Sequence, residues 1–220
     1  MSLPMDLEAR PAGARTPRGP LSSRLGIPVP IAALQDEVSQ LMVRSWLPHV
    51  NRADYDGAWD VMPLRCQRQH AGAHPILQGF ALNDPAQAWD DLPVLHTCPA
   101  VRQLLSRLEC RLKSVRLMRL HAGASIRPHR DAGLHLGCGE ARLHVPVWTN
   151  PDVHFLVAGH EVPMREGELW YFNADEVHAV VNRSQAARTH LVIDCEANPW
   201  LVRRIHDLLR GHLCQEAPER

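Results

Sequence analysis

The sequence predicts a mainly β fold with flanking helices, and three observations carry that expectation. Residues 141–147 (ARLHVPV) and 187–194 (ARTHLVID) alternate polar and apolar side chains with the period of two that marks a half-buried strand. Apolar residues recur at helical spacing ahead of these segments, over 31–44 and 99–113, and behind them, beyond Asn198-Pro199. The order is therefore helices, a strand-rich core and a closing helix, with no internal repeat.

Residues 1 to about 25 are rich in Pro, Arg, Gly and Ser. They offer too little apolar surface to offset the entropy of ordering, so a mobile arm is expected ahead of a single domain over 26–220. A helix is expected from Ile31 to Arg44, where Leu34, Val38, Leu41 and Met42 share a face. Trp59 to Arg65 reads as a strand, and Pro63 inside it argues for an edge. Residues 68–96 carry His70, His74, Pro75, Asn83, Pro85 and Pro93 and read as irregular, with part of them closing over a site. A second helix is expected over Pro99–Lys113, burying Val101, Leu104, Leu105, Leu108 and Leu112. The Gly133–Gly139 stretch reads as a lid or a connector. A last helix starts near Asn198-Pro199, with Leu201, Ile205, Leu208 and Leu209 on one side.

At 220 residues and 45% hydrophobic content the chain is long enough for one sizeable core. Its 24 basic and 24 acidic residues balance, which argues against nucleic acid as a partner. Lys113 is the only lysine, a bias we attribute to coding composition. No apolar run approaches a membrane span and no signal-peptide core is visible, so no membrane partner is expected. The six cysteines show no CxxC spacing, which fits a reducing compartment and a soluble cytoplasmic protein.

The chemistry concentrates at His129-Arg130-Asp131 and His178. On one extended segment, side chains at i and i+2 point the same way, so His129 and Asp131 can reach one metal ion, with His178 arriving from a strand facing them across a barrel. Two imidazoles and one carboxylate on one face of an octahedral ion leave the opposite face open, the arrangement of non-haem Fe(II) sites that use O2. The two alternating segments bring Arg142 with His144, and Arg188 with His190, toward one interior. Buried arginines are costly without an anion, and a dicarboxylate cosubstrate supplies one. Arg116 and Arg119 alternate, so at most one faces inward toward a substrate carboxylate. Trp148, Trp170 and Tyr171 are read as core or rim residues.

From Arg116 to Trp200 the chain resembles the aspartyl/asparaginyl β-hydroxylase family of Fe(II)/2-oxoglutarate oxygenases, including its bacterial L-proline cis-hydroxylase branch. The blocks that carry the resemblance are RLMRL (116–120), PHRD (128–131), RLHVPVWTN (142–150), GELWYFNADEVH (167–178) and RTHLVIDCE (188–196). The resemblance implies a double-stranded β-helix, a cupin-like jelly roll, over about 115–196. It further implies Fe(II) held by His129, Asp131 and His178, and 2-oxoglutarate held by Arg188 with help from Arg142 and His144. O2 would be consumed in hydroxylating an amino acid, free or within a peptide or carrier-bound intermediate, of the Asp, Asn or Pro type. The animal enzymes of this family that act on growth-factor-like domains have a glycine where this chain has Asp131. Their membrane anchor and helical-repeat region are not seen here either, so their substrate is not carried over.

Two readings compete. A non-catalytic jelly-roll binding or sensor module would keep the metal but would not need the clamp arginines as well. A cupin-type enzyme without cosubstrate would show an H-x-H pair in the first motif, which is absent. The HRD string also occurs in kinase catalytic loops, but neither the following asparagine at its offset nor a preceding glycine-rich loop is present.

Overall fold

A computed structural model of the chain describes residues 19–78 and 88–215. Ahead of the core come β1 (Ser22–Arg24), α1 (Ile31–Leu41), β2 (Leu47–Pro48), β3 (Tyr55–Asp56), β4 (Trp59–Gln67), α2 (Pro75–Gln78), β5 (Trp89–Asp91), α3 (Pro93–His96) and α4 (Pro99–Leu105). The core strands are β6 (Leu112–Leu120), β7 (Ser125–His129), β8 (Glu140–Trp148), β9 (Val153–Val157), β10 (His160–Glu161), β11 (Trp170–Phe172), β12 (His178–Asn182) and β13 (Arg188–Glu196), and α5 (Pro199–Gln215) follows.

Apart from β9 and β10, which pair with each other, successive core strands change sheets. β6, β8, β11 and β13 lie in an eight-stranded sheet ordered β1-β11-β8-β13-β6-β4-β2, with β5 also on β4, while β7, β9, β10 and β12 lie in a five-stranded sheet ordered β10-β9-β12-β7-β3. That exchange between two antiparallel sheets is a jelly roll, the double-stranded β-helix expected. The period of two divides the large sheet's side chains between two cores. Leu117, Leu191 and Ile193 face outward and pack with Leu34 and Val38 of α1, Leu104 of α4 and Leu201 of α5. Met118, Leu120 and Val192 face inward and pack with Ile126, Phe155, Phe172 and Val180 between the sheets. Fully burying each such side chain stabilises the fold by roughly 1.5–3 kcal/mol.

Several sequence expectations change. Residues 1–18 of the expected arm lie outside the described residues, but its last part is ordered: Ser22–Arg24 pairs with β11 and Leu25 is fully buried. The helix expected over 99–113 ends at Leu105, and Leu112 already begins β6. Leu108 is still buried, so the leucine spacing reflects a buried turn as much as a helix. The strand around Pro63 is not an edge: β4 pairs with β6 on one side and with β2 and β5 on the other. Pro63 itself falls between the stretches paired by β2 (Asp60–Val61) and β5 (Arg65–Gln67), where its missing N–H costs no ladder bond. Part of the segment read as irregular, 79–87, lies outside the described residues; the rest contributes α2, β5 and α3. Gly133–Gly139 folds as turns and a short 3-10 turn at Leu136–Cys138. The closing helix begins as expected, with Asn198 Oδ1 accepting from Leu201 N at 3.0 Å.

Candidate metal centre and its cavity

His129 is the last residue of β7 and His178 the first of β12, and the two are directly paired in register. His178 thus comes from the neighbouring strand of the same sheet, not from one facing β7 across the barrel. Asp131 lies two residues past the end of β7, held by its N–H on Ala174 O at 2.8 Å. One ligand atom from each of His129, Asp131 and His178 falls within 4.8 Å of the others. Each imidazole is oriented from behind: His129 Nδ1 lies 2.8 Å from Arg127 O and His178 Nδ1 lies 3.0 Å from Glu176 O. A carbonyl only accepts, so each Nδ1 carries the proton and each Nε2 presents a lone pair. Burial lowers the His178 pKa to about 4, keeping the ring neutral as a ligand must be.

Asp131 accepts a hydrogen bond from Arg142 Nη1. Burial pushes the Asp131 carboxyl up, but Arg142 and the two histidines outweigh it and hold it below its usual value. Arg142 also donates from Nε to Asp194 Oδ1 at 2.7 Å and from Nη2 to Asp194 Oδ2 at 3.1 Å. Asp194 in turn accepts from Arg116 Nη1 at 2.8 Å. The result is a chain Arg116–Asp194–Arg142–Asp131 that fixes the Asp131 carboxylate. Arg142 spends three N–H groups on carboxylates, and the one it gives to Asp131 orients that side chain.

All three triad residues line a cavity of about 220 Å³ with Arg116, Arg142, His144, Arg188, Phe155 and Phe172. Arg188 is 2% exposed and no carboxylate pairs with it among the described residues. Its Nη2 lies 2.7 Å from His190 Nδ1, its guanidinium sits 5.7 Å from the Phe155 ring centroid, and its Nε is buried without a partner. Burial alone lowers its pKa to about 9.

Because Arg188 can only donate, His190 Nδ1 accepts and its proton sits on Nε2, which is buried without a partner. His144 Nδ1 lies 3.2 Å from the same His190 nitrogen and therefore donates to it, leaving His144 Nε2 as an acceptor. Burial, with Arg188 adding to it, holds both rings well below the usual histidine pKa, so both are neutral. His144 lines the cavity, whereas His190 supports Arg188.

Of the two arginines left open by alternation, Arg116 faces inward. Arg119 points out, donating to Asp60 at 2.8 Å and lying over the Trp46 ring. Sequence reasoning missed Asp194, although it continues the inward series Arg188, His190, Val192. It also missed His49, which lines the cavity and stacks on Trp59 with centroids 3.6 Å apart; burial, then Arg116 and Arg142, lowers its pKa to about 3. No local pattern marks His49.

The sequence model of the aspartyl/asparaginyl beta-hydroxylase family matches residues 31–198. An L-proline cis-4-hydroxylase of Rhizobium meliloti (strain 1021) is 30% identical over 124 residues, covering 50% of this chain and 44% of the relative, so this chain spans less than half of that protein. A 2OG-Fe(II) oxygenase family oxidoreductase from Burkholderia pseudomallei is 15% identical at a TM-score of 0.48, over 74% of this chain and 78% of that one. A Pseudomonas putida prolyl-4-hydroxylase is 17% identical at a TM-score of 0.44, over 80% and 91%. Among the described residues no helix is long and apolar enough to cross a membrane. With the family match running through every strand that carries the triad and its arginines, the chain belongs to the aspartyl/asparaginyl β-hydroxylase family.

Proposed function

We propose that the chain is an Fe(II)- and 2-oxoglutarate-dependent dioxygenase that hydroxylates an amino acid. The observation that carries this is Arg188: a buried cation without a carboxylate partner among the described residues, at the wall of the cavity that holds a His-Asp-His cluster. An uncompensated buried charge is retained at a cost, and a dicarboxylate that pairs with it offsets that cost. The donor set fits iron: two neutral imidazoles with free Nε2 lone pairs and one ionised carboxylate, without a thiolate that would favour zinc. His129, Asp131 and His178 would hold the ion; Arg188, with His144 beside it, would hold the cosubstrate carboxylate. Iron, O2 and 2-oxoglutarate would together supply the insertion of a hydroxyl group into a C–H bond, with the cosubstrate decarboxylated to succinate.

The chain's own part is positioning. Arg142 fixes the Asp131 carboxylate, Arg127 O and Glu176 O fix the histidine rings, and His190 fixes the Arg188 guanidinium. Phe155 and Phe172 give the cavity an apolar wall that strengthens the ionic contacts made there. The similarity to an L-proline cis-4-hydroxylase supports an amino-acid substrate.

The test is anaerobic titration of the full chain with Fe(II) and 2-oxoglutarate, followed by the visible charge-transfer band of the chelate, in wild type and Arg188→Ala. A band in wild type that needs far more cosubstrate in the variant supports the reading. An iron-binding wild type without a band would favour a metal-binding jelly-roll module that does not turn over.

A further inference from the structure

A second cavity, about 240 Å³, shares Asp131 and Arg142 with the first but touches neither histidine ligand nor Arg188. Its wall includes Trp89, Lys113, Arg130, Glu140 and Asp194. Most of these charges are already engaged. Arg142 and Asp194 belong to the chain described above, and Arg130 Nη1 donates to Asp175 O and to Glu176 Oε2 at 3.2 Å. What is left is the ion pair of Lys113 Nζ with Glu140 Oε1, whose side chains are 7% and 15% exposed.

That pair is only partly satisfied. Lysine has three N–H donors and glutamate two carboxylate oxygens, yet one bond joins them. Beside them, Trp89 is 7% exposed and its Nε1 is buried without a partner. A buried donor left without a partner is costly and uncommon, and here the Trp89 indole N–H stands on the same cavity wall as an ion pair that can still donate from lysine and accept at glutamate, a set that a ligand carrying both an acceptor and a donor would use. The fold has re-aimed Lys113 to place it there. The register of β13 on β6 shifts between Ile193 and Cys195, so that Lys113 and Ser114 together stand opposite Asp194, and a β-bulge of this kind turns a side chain to a face it would not otherwise reach.

We propose that this cavity is the head-group subsite for a free α-amino acid, with the substrate carboxylate on Lys113 Nζ and Trp89 Nε1 and its ammonium on Glu140. The two charges of a zwitterion sit on one carbon and match a wall that presents one cation and one anion side by side. A residue inside a peptide carries neither charge, so the subsite selects the free amino acid. The inference rests on the hydroxylase reading of the neighbouring cavity, because Asp131 and Arg142 are common to both and the substrate side chain would extend past them toward the triad.

The experiment is ligand-observed NMR on the full chain with each of the twenty proteinogenic L-amino acids. It is run metal-free and again anaerobically with Fe(II) and 2-oxoglutarate, then with the N-acetyl and carboxamide forms of any binder. The expected result is saturable binding of at least one free amino acid, weakened tenfold or more by blocking either end and by Lys113→Met, and three- to tenfold by Trp89→Phe. Cosubstrate affinity should stay within twofold in both variants. Because Lys113→Met strands Glu140, the double variant Lys113→Met/Glu140→Gln is measured beside it and is expected to lose binding while keeping the wild-type circular dichroism spectrum. The proposal is overturned if no free amino acid binds in either state, if the blocked forms bind as well, or if the Lys113 and Trp89 variants bind as wild type. Amino-acid binding that persists where 2-oxoglutarate fails to bind would sink the oxygenase reading alone.

Discussion

Replacing Arg188 with methionine separates what the residue costs the fold from what it contributes to binding. The guanidinium is buried against His190 and Phe155 with no carboxylate paired to it among the described residues, and burial lowers its pKa to about 9. At roughly 1.4 kcal/mol per pH unit, the charged form is disfavoured by about 5 kcal/mol before any relaxation. Exchanging buried charges for apolar side chains of similar volume typically gains about 1–4 kcal/mol. The metal-free variant is therefore expected to be more stable than wild type by about 2 kcal/mol, a rise of roughly 4–8 °C in Tm for a chain of this size. Cosubstrate affinity should move the opposite way. Removing one half of a buried charge pair costs about 2–5 kcal/mol, or roughly 30- to 5000-fold in Kd. Scanning calorimetry of the metal-free proteins and anaerobic calorimetric titration of the Fe(II) forms with 2-oxoglutarate read the two effects. A variant that is destabilised by more than about 1 kcal/mol and binds 2-oxoglutarate as tightly as wild type would refute the argument.

Three further outcomes are expected. Asp194→Asn strips the shared counter-charge from Arg116 and Arg142 and should destabilise the fold by about 3–5 kcal/mol, measured by urea unfolding; a loss below about 1 kcal/mol would mean that the arginines are balanced by other groups. His49, His144 and His190 have lowered pKa values in the fold, so below about pH 6.5 the unfolded chain binds more protons than the native one and stability falls with pH. Between pH 7.5 and 5.5 the metal-free chain should lose up to about 4 kcal/mol from these three, and a flat urea midpoint across that range would contradict their neutral burial. Gly57→Ala places a Cβ 2.8 Å from Ala124 Cβ at a φ of +79° and should destabilise by about 1–3 kcal/mol, visible as a lowered Tm; an unchanged Tm would show that the β3–β4 turn relaxes freely.

What could be read from the sequence, and what could not, divides along the range of the interactions concerned. Strand alternation is local, so the inward direction of Arg142, His144, Arg188 and His190 followed from a period of two, and the cavity does gather Arg142, His144 and Arg188. Helical periodicity is local as well, but leucines at 104, 105, 108 and 112 satisfy it equally well as a helix that stops at Leu105, a buried turn and the start of β6. Strand adjacency is not local: that β12 lies directly beside β7 depends on how the chain exchanges strands between two sheets, and no residue near His178 encodes it. The same holds for charge. Asp194 had the right parity to face inward, yet its importance comes from Arg116, 78 residues away, and Arg142, 52 residues away. Lys113 is the sharper case, because its parity on β6 points it outward with Val115 and Leu117, and only the bulge opposite Asp194 turns it to the cavity. The chain's single lysine thus reads as compositional accident from the sequence and as half of a buried ion pair on the same cavity wall as Asp131 once the register is known.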